Sequence, residues 1–261
     1  MHRVIIQAGG LGTRLPPYTT VLPKPLVPVG DLPVLEIMVR QFVAYGLRRI
    51  TVTLGHLGHL ITAVLGDGRR LGAEVDYVQE SAPRGTIGAL TLVEGLQEPF
   101  IVANGDLLTD FDYRVFMADH CASGARLSVG TYHKKVQISL GVLELDATRR
   151  IKGFREKPTL SLPCSMGIYA FDPAMLEWIP RDRSFGFDDL MAVCLERRLP
   201  VRAHVFEGHW LDIGRPEDQA AASETFEAHR DRFLRPARPV HSAQSARAAG
   251  RLRAFGPQRH G

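Results

Sequence analysis

The sequence predicts an α/β fold in which helices cover both faces of a mainly parallel sheet. Two observations carry that prediction. Short apolar strands alternate with helix-length amphipathic stretches through the first half of the chain, which is a βαβ succession. The strands are near-continuous aliphatic runs, so both of their faces should be buried, as in parallel sheets built with crossover helices. Strands are expected at Val4 to Ala8, Ile50 to Leu54, Val75 to Val78 and Phe100 to Ala103. Helices are expected at Val34 to Tyr45, Leu57 to Leu65, Ile87 to Gly95 and Tyr113 to Cys121. From about Leu127 the strands shorten, to Leu127–Thr131, Leu140–Leu145, Ile151–Arg155 and Met166–Phe171. Helices then follow at Asp172–Trp178, Phe187–Glu196 and Pro216–His229. No linker separates the halves 1–125 and 126–234, which read as one domain.

A chain of 261 residues can bury roughly 70 to 75% of its unfolded surface as one large domain. No apolar run reaches the about 18 residues of a membrane span, and no cationic leader with an apolar core opens the chain. Cys121, Cys164 and Cys194 are scattered without CxxC spacing, which argues against a disulfide framework or thiolate zinc site and for a cytoplasmic setting. The net charge of +4 is unevenly placed: residues 235–261 hold six arginines and no acid, leaving +4 less 6, or −2, on the remainder. That tail is rich in proline, alanine and glycine, has no sustained apolar period, and is expected to be disordered. Neither nucleic acid nor membrane is an expected partner.

The most specific segment is QAGGLGTRLPPYTTVLPKPLVP, Gln7 to Pro28, directly after the first strand. Gly9, Gly10 and Gly12 let backbone N–H groups approach an anion closely, and Arg14 and Lys24 add full charges, so the loop reads as a cradle for a polyphosphate. It is not a dinucleotide fingerprint, because Leu15 stands where the third glycine belongs. No GxxxxGK follows any strand either. In open α/β sheets ligands lie beyond the carboxyl ends of the strands. Gly9–Arg14 and Gly105–Asp106 both follow strands directly, so they should share a rim.

GGxGTRL followed by PKPL resembles the signature of the sugar-1-phosphate nucleotidyltransferases, which make nucleotide sugars from a nucleoside triphosphate and a sugar phosphate. The resemblance runs from Arg3 to about Ala222 through four further motifs in the family's order. ESAPRGTIGAL (Glu80–Leu90) is similar to its EPLGTAGAL loop, and ANGDLLTDFD (Ala103–Asp112) to its metal-binding NGD segment. FREKP (Phe154–Pro158) and GHWLDIGRPED (Gly208–Asp218) resemble its sugar-phosphate and second-metal segments. The implied fold is a Rossmann-like three-layer sandwich with a mainly parallel mixed sheet, the nucleotide-diphospho-sugar transferase fold. Residues 1–125 would then be the nucleotide-binding half and 126–234 the sugar-phosphate half.

The resemblance also implies roles. A sugar-1-phosphate oxygen attacks the α-phosphorus and pyrophosphate leaves in line, so positioning and cations supply most of the catalysis. Asp106 and Asp212 correspond to the carboxylates that hold one Mg²⁺, a hard cation suited to oxygen ligands. Arg14 would hold the β and γ phosphates, Lys24 the α-phosphoryl oxygens and Lys157 the sugar phosphate. Ala8, Gly9, Gly10, Gly12 and Thr13 would line the nucleotide, and Gly141, Glu156 and Ser165 the sugar. Glu80 and Gly85 would read the base: a carboxylate accepts but cannot donate, which fits the N1–H and N2–H₂ edge of guanine and repels uracil or thymine carbonyls, with the adjacent Gln79 open as a substitute after a one-residue shift. A guanylyltransferase acting on a mannose, heptose or related sugar 1-phosphate is the first expectation. A uridylyl- or thymidylyltransferase acting on glucose 1-phosphate, or a silent nucleotide-sugar-binding regulatory subunit, stays open, as does a homo-oligomer. Departures from the pattern are Gln7 in place of an apolar residue, Tyr18 and Arg84 in place of Leu, and Ser165 in place of Asn. His56 and His59, three apart with no third ligand nearby, read as surface or capping histidines.

Overall fold

The computed structural model describes residues 2–10, Leu15 and residues 18–234; the basic tail lies outside the described residues. The strands are β1 (Val4–Ala8), β2 (Pro28–Val29), β3 (Leu32–Pro33), β4 (Arg49–Leu54), β5 (Glu74–Gln79), β6 (Phe100–Asn104), β7 (Leu107–Thr109), β8 (Leu127–Gln137), β9 (Val142–Leu145), β10 (Ile151–Arg155), β11 (Thr159–Phe171), β12 (Val201–Phe206) and β13 (Trp210–Asp212). The helices are α1 (Tyr18–Val21), α2 (Val34–Ala44), α3 (Gly58–Leu65), α4 (Gly85–Gly88), α5 (Tyr113–Ser123), α6 (Phe187–Glu196), α7 (Pro216–Ala228) and α8 (Arg230–Leu234).

The aliphatic runs form the centre of a seven-stranded mixed sheet in the order β12-β8-β11-β6-β1-β4-β5. β1 pairs in parallel with both β4 and β6, while β11 alone runs antiparallel to its neighbours β6 and β8. β1 is therefore where the winding of the sheet reverses, the position at which α/β sheets open a crevice. Side chains on β1 alternate between two cores. Val4, Ile6 and Ala8 pack with Leu35, Met38 and Phe42 of α2 and Phe116 of α5. Ile5 packs on the opposite face with Ile87, Leu90 and Leu190. Helical layers thus cover both faces, as the continuous apolar strands require. A third cluster joins Leu15, Val27 and Ile37 to Leu108 and Ile213 and to Phe226 and Phe233 of α7 and α8.

Four expectations need correction. The helix expected over Ile87–Gly95 is only the turn α4 followed by a 3-10 turn at Ala89–Leu92, and Val93 is already extended. Thr91 Oγ1 donates to the Gly88 carbonyl at 2.7 Å, a local bond that competes with helix continuation. The helix expected at Asp172–Trp178 is a 3-10 helix over Pro173–Trp178, capped by the Asp172 carboxylate accepting from the Ala174 N–H. β8 and β11 extend well beyond Leu127–Thr131 and Met166–Phe171 into a long two-stranded ribbon. β12 was not expected; Arg202 and His204 interrupt its apolar residues, as suits an edge strand.

Tyr113, at the start of α5, is fully buried against Phe42 and Phe111, with ring centroids 4.5 and 5.3 Å away. Its hydroxyl has no hydrogen-bond partner among the described residues, and burial pushes the phenol pKa up. Tyr113→Phe should therefore raise unfolding free energy by about 1 kcal/mol and the melting temperature by about 2 to 4 °C. A calorimetric scan that found a lower melting point would show that the hydroxyl is satisfied.

Candidate active site

The carboxyl ends of β1, β4, β5 and β6 enclose a cavity of about 780 Å³. Its lining includes Ala8, Gly9 and Gly10, Glu80, Gly85 and Thr86, and Lys24, Asp106 and Asp212. Gly12, Thr13 and Arg14, expected here from the sequence, lie outside the described residues.

Local structure explains how distant residues meet. Asp106 sits just beyond β6, in the tight connection to β7. β7 pairs antiparallel with β13, placing Asp212 opposite Leu107, and the Ile213 N–H donates to the Asp106 carbonyl at 3.1 Å. β13 is anchored by Asp110, whose nearly buried carboxylate accepts from the His209 N–H at 2.8 Å and pairs with Arg232 of α8 at 2.8 Å. Lys24 enters from a 3-10 turn whose neighbours Pro25 and Leu26 are buried, so the lysine has a fixed base.

The Lys24 ammonium pairs with Asp106 and reaches Asp212 Oδ1 at 3.4 Å. Asp106 is largely buried, its side chain 16% exposed, whereas Asp212 is 46% exposed. Burial holds the Asp106 pKa above the ordinary carboxylate value; Lys24 pulls it down and the Asp212 charge pushes it up. Two carboxylates facing one cation form a donor set of hard oxygens, the kind that suits Mg²⁺ completed by waters and phosphate oxygens.

The Glu80 carboxylate lines the same cavity and lies against Gly9. It accepts from the Arg84 N–H at 3.0 Å, and its pKa is raised by burial against the opposing effect of that bond. A Cβ at Gly9 would run into this carboxylate, so the close approach of the two segments favours glycine there. Gly85 has φ +78°, and a Cβ on it would meet the Phe185 carbonyl at 2.7 Å, so both its conformation and its contact exclude a side chain.

The sugar-side candidates stand elsewhere. Glu156 and Lys157 are about three-fifths exposed and 3.9 Å apart, at the end of β10 and in the turn that follows it. Gly141, which precedes β9, packs toward the Phe154 ring and Glu156. Ser165 Oγ, on β11, donates to the Tyr169 hydroxyl at 3.2 Å. None of these four lines the cavity. The cavity residues that were not among the sequence candidates include His56, read there as a surface or capping residue, the polar side chains Thr53 and Asn104, and Gln7. A polar amide inside an aliphatic strand was the available signal for Gln7.

Comparisons with known proteins bear on the family. The family described as Nucleotidyl transferase matches residues 3–229. A UTP–glucose-1-phosphate uridylyltransferase from Synechocystis sp. is 29% identical over 83% of this chain and 61% of its own length. The catalytic subunit beta of a mannose-1-phosphate guanylyltransferase from Drosophila melanogaster is 30% identical over 83% of this chain and 60% of its own length. The chain thus spans about three fifths of these curated relatives. Among solved structures, a putative glucose-1-phosphate thymidylyltransferase from Bacillus anthracis, in complex with a sucrose, superposes with TM-score 0.70 at 26% identity, covering 86% of this chain and 95% of the other. HddC from Yersinia pseudotuberculosis, complexed with GMP-PN, gives 0.65 at 27% identity over 87% of this chain and 100% of the other. With the motifs in order, the sheet reversal at β1 and this match over most of its length, the chain belongs to the nucleotidyl transferase family, among the sugar-1-phosphate nucleotidyltransferases.

Proposed function

We infer that this protein transfers a nucleoside monophosphate from a nucleoside triphosphate to a sugar 1-phosphate. A phosphate oxygen of the sugar phosphate forms a bond to the α-phosphorus while the bond to the β-bridging oxygen breaks, and pyrophosphate leaves. The observation that carries this reading is Lys24 paired with both Asp106 and Asp212 in the cavity that Gly9 and Gly10 also line at the sheet rim. Asp106 and Asp212 would hold Mg²⁺, which when bound neutralises phosphate charge. Lys24 is placed to offset charge that develops on the α-phosphoryl oxygens, and the N–H groups of the glycine turn would orient the triphosphate. Arg14 is assigned the β and γ phosphates. Lys157, with Glu156, Gly141 and Ser165, is assigned the sugar phosphate. A silent regulatory subunit could dispense with the lysine and the two carboxylates, so their presence together favours an active enzyme.

The base is guanine in this reading. Glu80 can accept from N1–H and N2–H₂ but offers nothing to a pyrimidine carbonyl, and a guanylyltransferase and a GMP-PN complex stand among the relatives. The sugar is a mannose, a heptose or a related 1-phosphate. Pyrophosphate release, measured with Mg²⁺ and each triphosphate against a panel of sugar 1-phosphates, tests both levels. GTP should be used best; no release with any pair would overturn the activity, and faster turnover of UTP or dTTP would overturn the base.

Glu80→Gln should shift the ratio of kcat/KM for GTP over UTP by about 10- to 100-fold toward UTP, because hydrogen bonds to a charged group are worth about 1.5 to 3 kcal/mol. Burial raises the Glu80 pKa, so its proton is kept to higher pH than in an exposed glutamate. GTP use should therefore fall, as pH drops, in a window that begins above the ordinary value of 4.5. The same burial means that ionised Glu80 costs stability at neutral pH, a cost relieved on acidification. A GTP profile that the Glu80→Gln variant leaves unmoved would contradict this assignment.

A further inference from the structure

β1 is aliphatic except at Gln7, and that one side chain is placed unusually. Its amide nitrogen and oxygen are both shut off from solvent, and neither has a hydrogen-bond partner among the described residues. The residue as a whole is only partly buried and lines the cavity, so its stem, not its amide, meets the open space. It lies in register with Thr53 on β4 and Asn104 on β6, and these two also line the cavity, forming a polar row across the strand ends. By alternation the row faces the same side of the sheet as Ile5, the side covered by the segment that starts at Gly85. Buried amides are nearly always satisfied, and an unpaired one carries its full desolvation penalty. A turn about the side-chain torsions brings such an amide from its closed position to the cavity, where a ligand can satisfy it.

Resting on the activity inferred above, we propose that Gln7 reads the nucleobase of the bound triphosphate and, with Glu80, sets base specificity. The phosphates do not need a neutral amide, because the glycine turn and Lys24 serve them. The sugar-side candidates Gly141, Glu156, Lys157 and Ser165 lie off the cavity wall, whereas Glu80, Gly85 and Thr86 share it with Gln7. A planar carboxamide presents a donor and an acceptor side by side, the pattern that matches a base edge. Glu80 accepts only, so the Gln7 N–H₂ supplies the donor that a guanine carbonyl requires and that the carboxylate lacks.

The test uses Gln7→Met, an apolar near-isostere, with Gln7→Leu as a second variant should the first fold poorly. Pyrophosphate release is measured with GTP, ATP, CTP, UTP and dTTP. Melting temperature is measured without ligand and with each of the five triphosphates in turn. For that triphosphate kcat/KM should fall about 10- to 100-fold, with the other triphosphates losing less and the KM for the sugar 1-phosphate unchanged. The ligand-free variant should melt higher than wild type, because the unpaired amide is gone, while the stabilisation by nucleotide should shrink. A purely structural glutamine would not give these opposite signs. Equal proportional losses across all triphosphates, an effect confined to the sugar KM, or undiminished nucleotide stabilisation would overturn the proposal. The melting readout needs no turnover, and the kinetic one follows whichever base the wild type prefers. Failure of the guanine assignment or of the activity itself is thus read separately.

Discussion

Replacing Asp106 with asparagine is expected to lower kcat by about 10³-fold, a loss of about 4 kcal/mol in transition-state stabilisation, while the protein stays folded. Both halves of that expectation follow from the surroundings of the carboxylate. Burial and the Asp212 charge already raise its pKa against the pull of Lys24, so its negative charge is costly in the free protein. Asparagine keeps the volume, removes one of two mutually repelling acids, and leaves Lys24 with Asp212 at 3.4 Å. The fold therefore has little reason to suffer. What disappears is a charged oxygen facing the reacting phosphates and the proposed ion, a contribution that a neutral amide cannot replace. Pyrophosphate release and a melting curve on the same preparation check the two halves together.

Lys24→Ala should cost about 10² to 10³ in kcat, the range found when a donor to a developing oxyanion is removed. Here the variant should also be sensitive to pH. Without the ammonium, Asp106 and Asp212 face each other with no shared cation, so the already raised pKa of Asp106 should rise further. A carboxyl whose folded pKa exceeds its unfolded one destabilises the fold as pH rises through that interval. Relative to wild type, Lys24→Ala should therefore lose stability between acid and neutral pH. Melting curves across that range measure the loss, and equal pH dependence of the two proteins would show that the ion pair has no part in the balance.

Much of this arrangement was legible in the sequence because its signals are local. The aliphatic runs marked β1, β4 and β6, and glycines directly after β1 and β6 marked the rim. Asp106 and Asp212 were paired through motif resemblance, although the two positions are far apart in sequence. The physical link, β7 against β13 with Asp110 holding His209 and Arg232, uses strands too short for periodicity to register. The β8–β11 ribbon was missed in part because Pro163 interrupts β11 where it pairs with His133, and a proline argues against a strand. The Ile87–Gly95 stretch has the apolar content of a helix, but glycine and a threonine bond to its own backbone turn it into 3-10 structure. Gln7 showed in sequence only as a departure from the family; its burial without a partner needed the packed sheet.

The account turns on Lys24, Asp106 and Asp212 converging so that they restrain one phosphoryl group with a divalent ion. Titration of Mg²⁺ into the pyrophosphate-release assay, for wild type, Asp106→Asn and Asp212→Asn, addresses this directly. The wild type should be inactive in chelator and saturate with Mg²⁺, and both variants should lose turnover and require far more metal. A Mg²⁺ curve in either variant that superposes on the wild type would contradict the shared site.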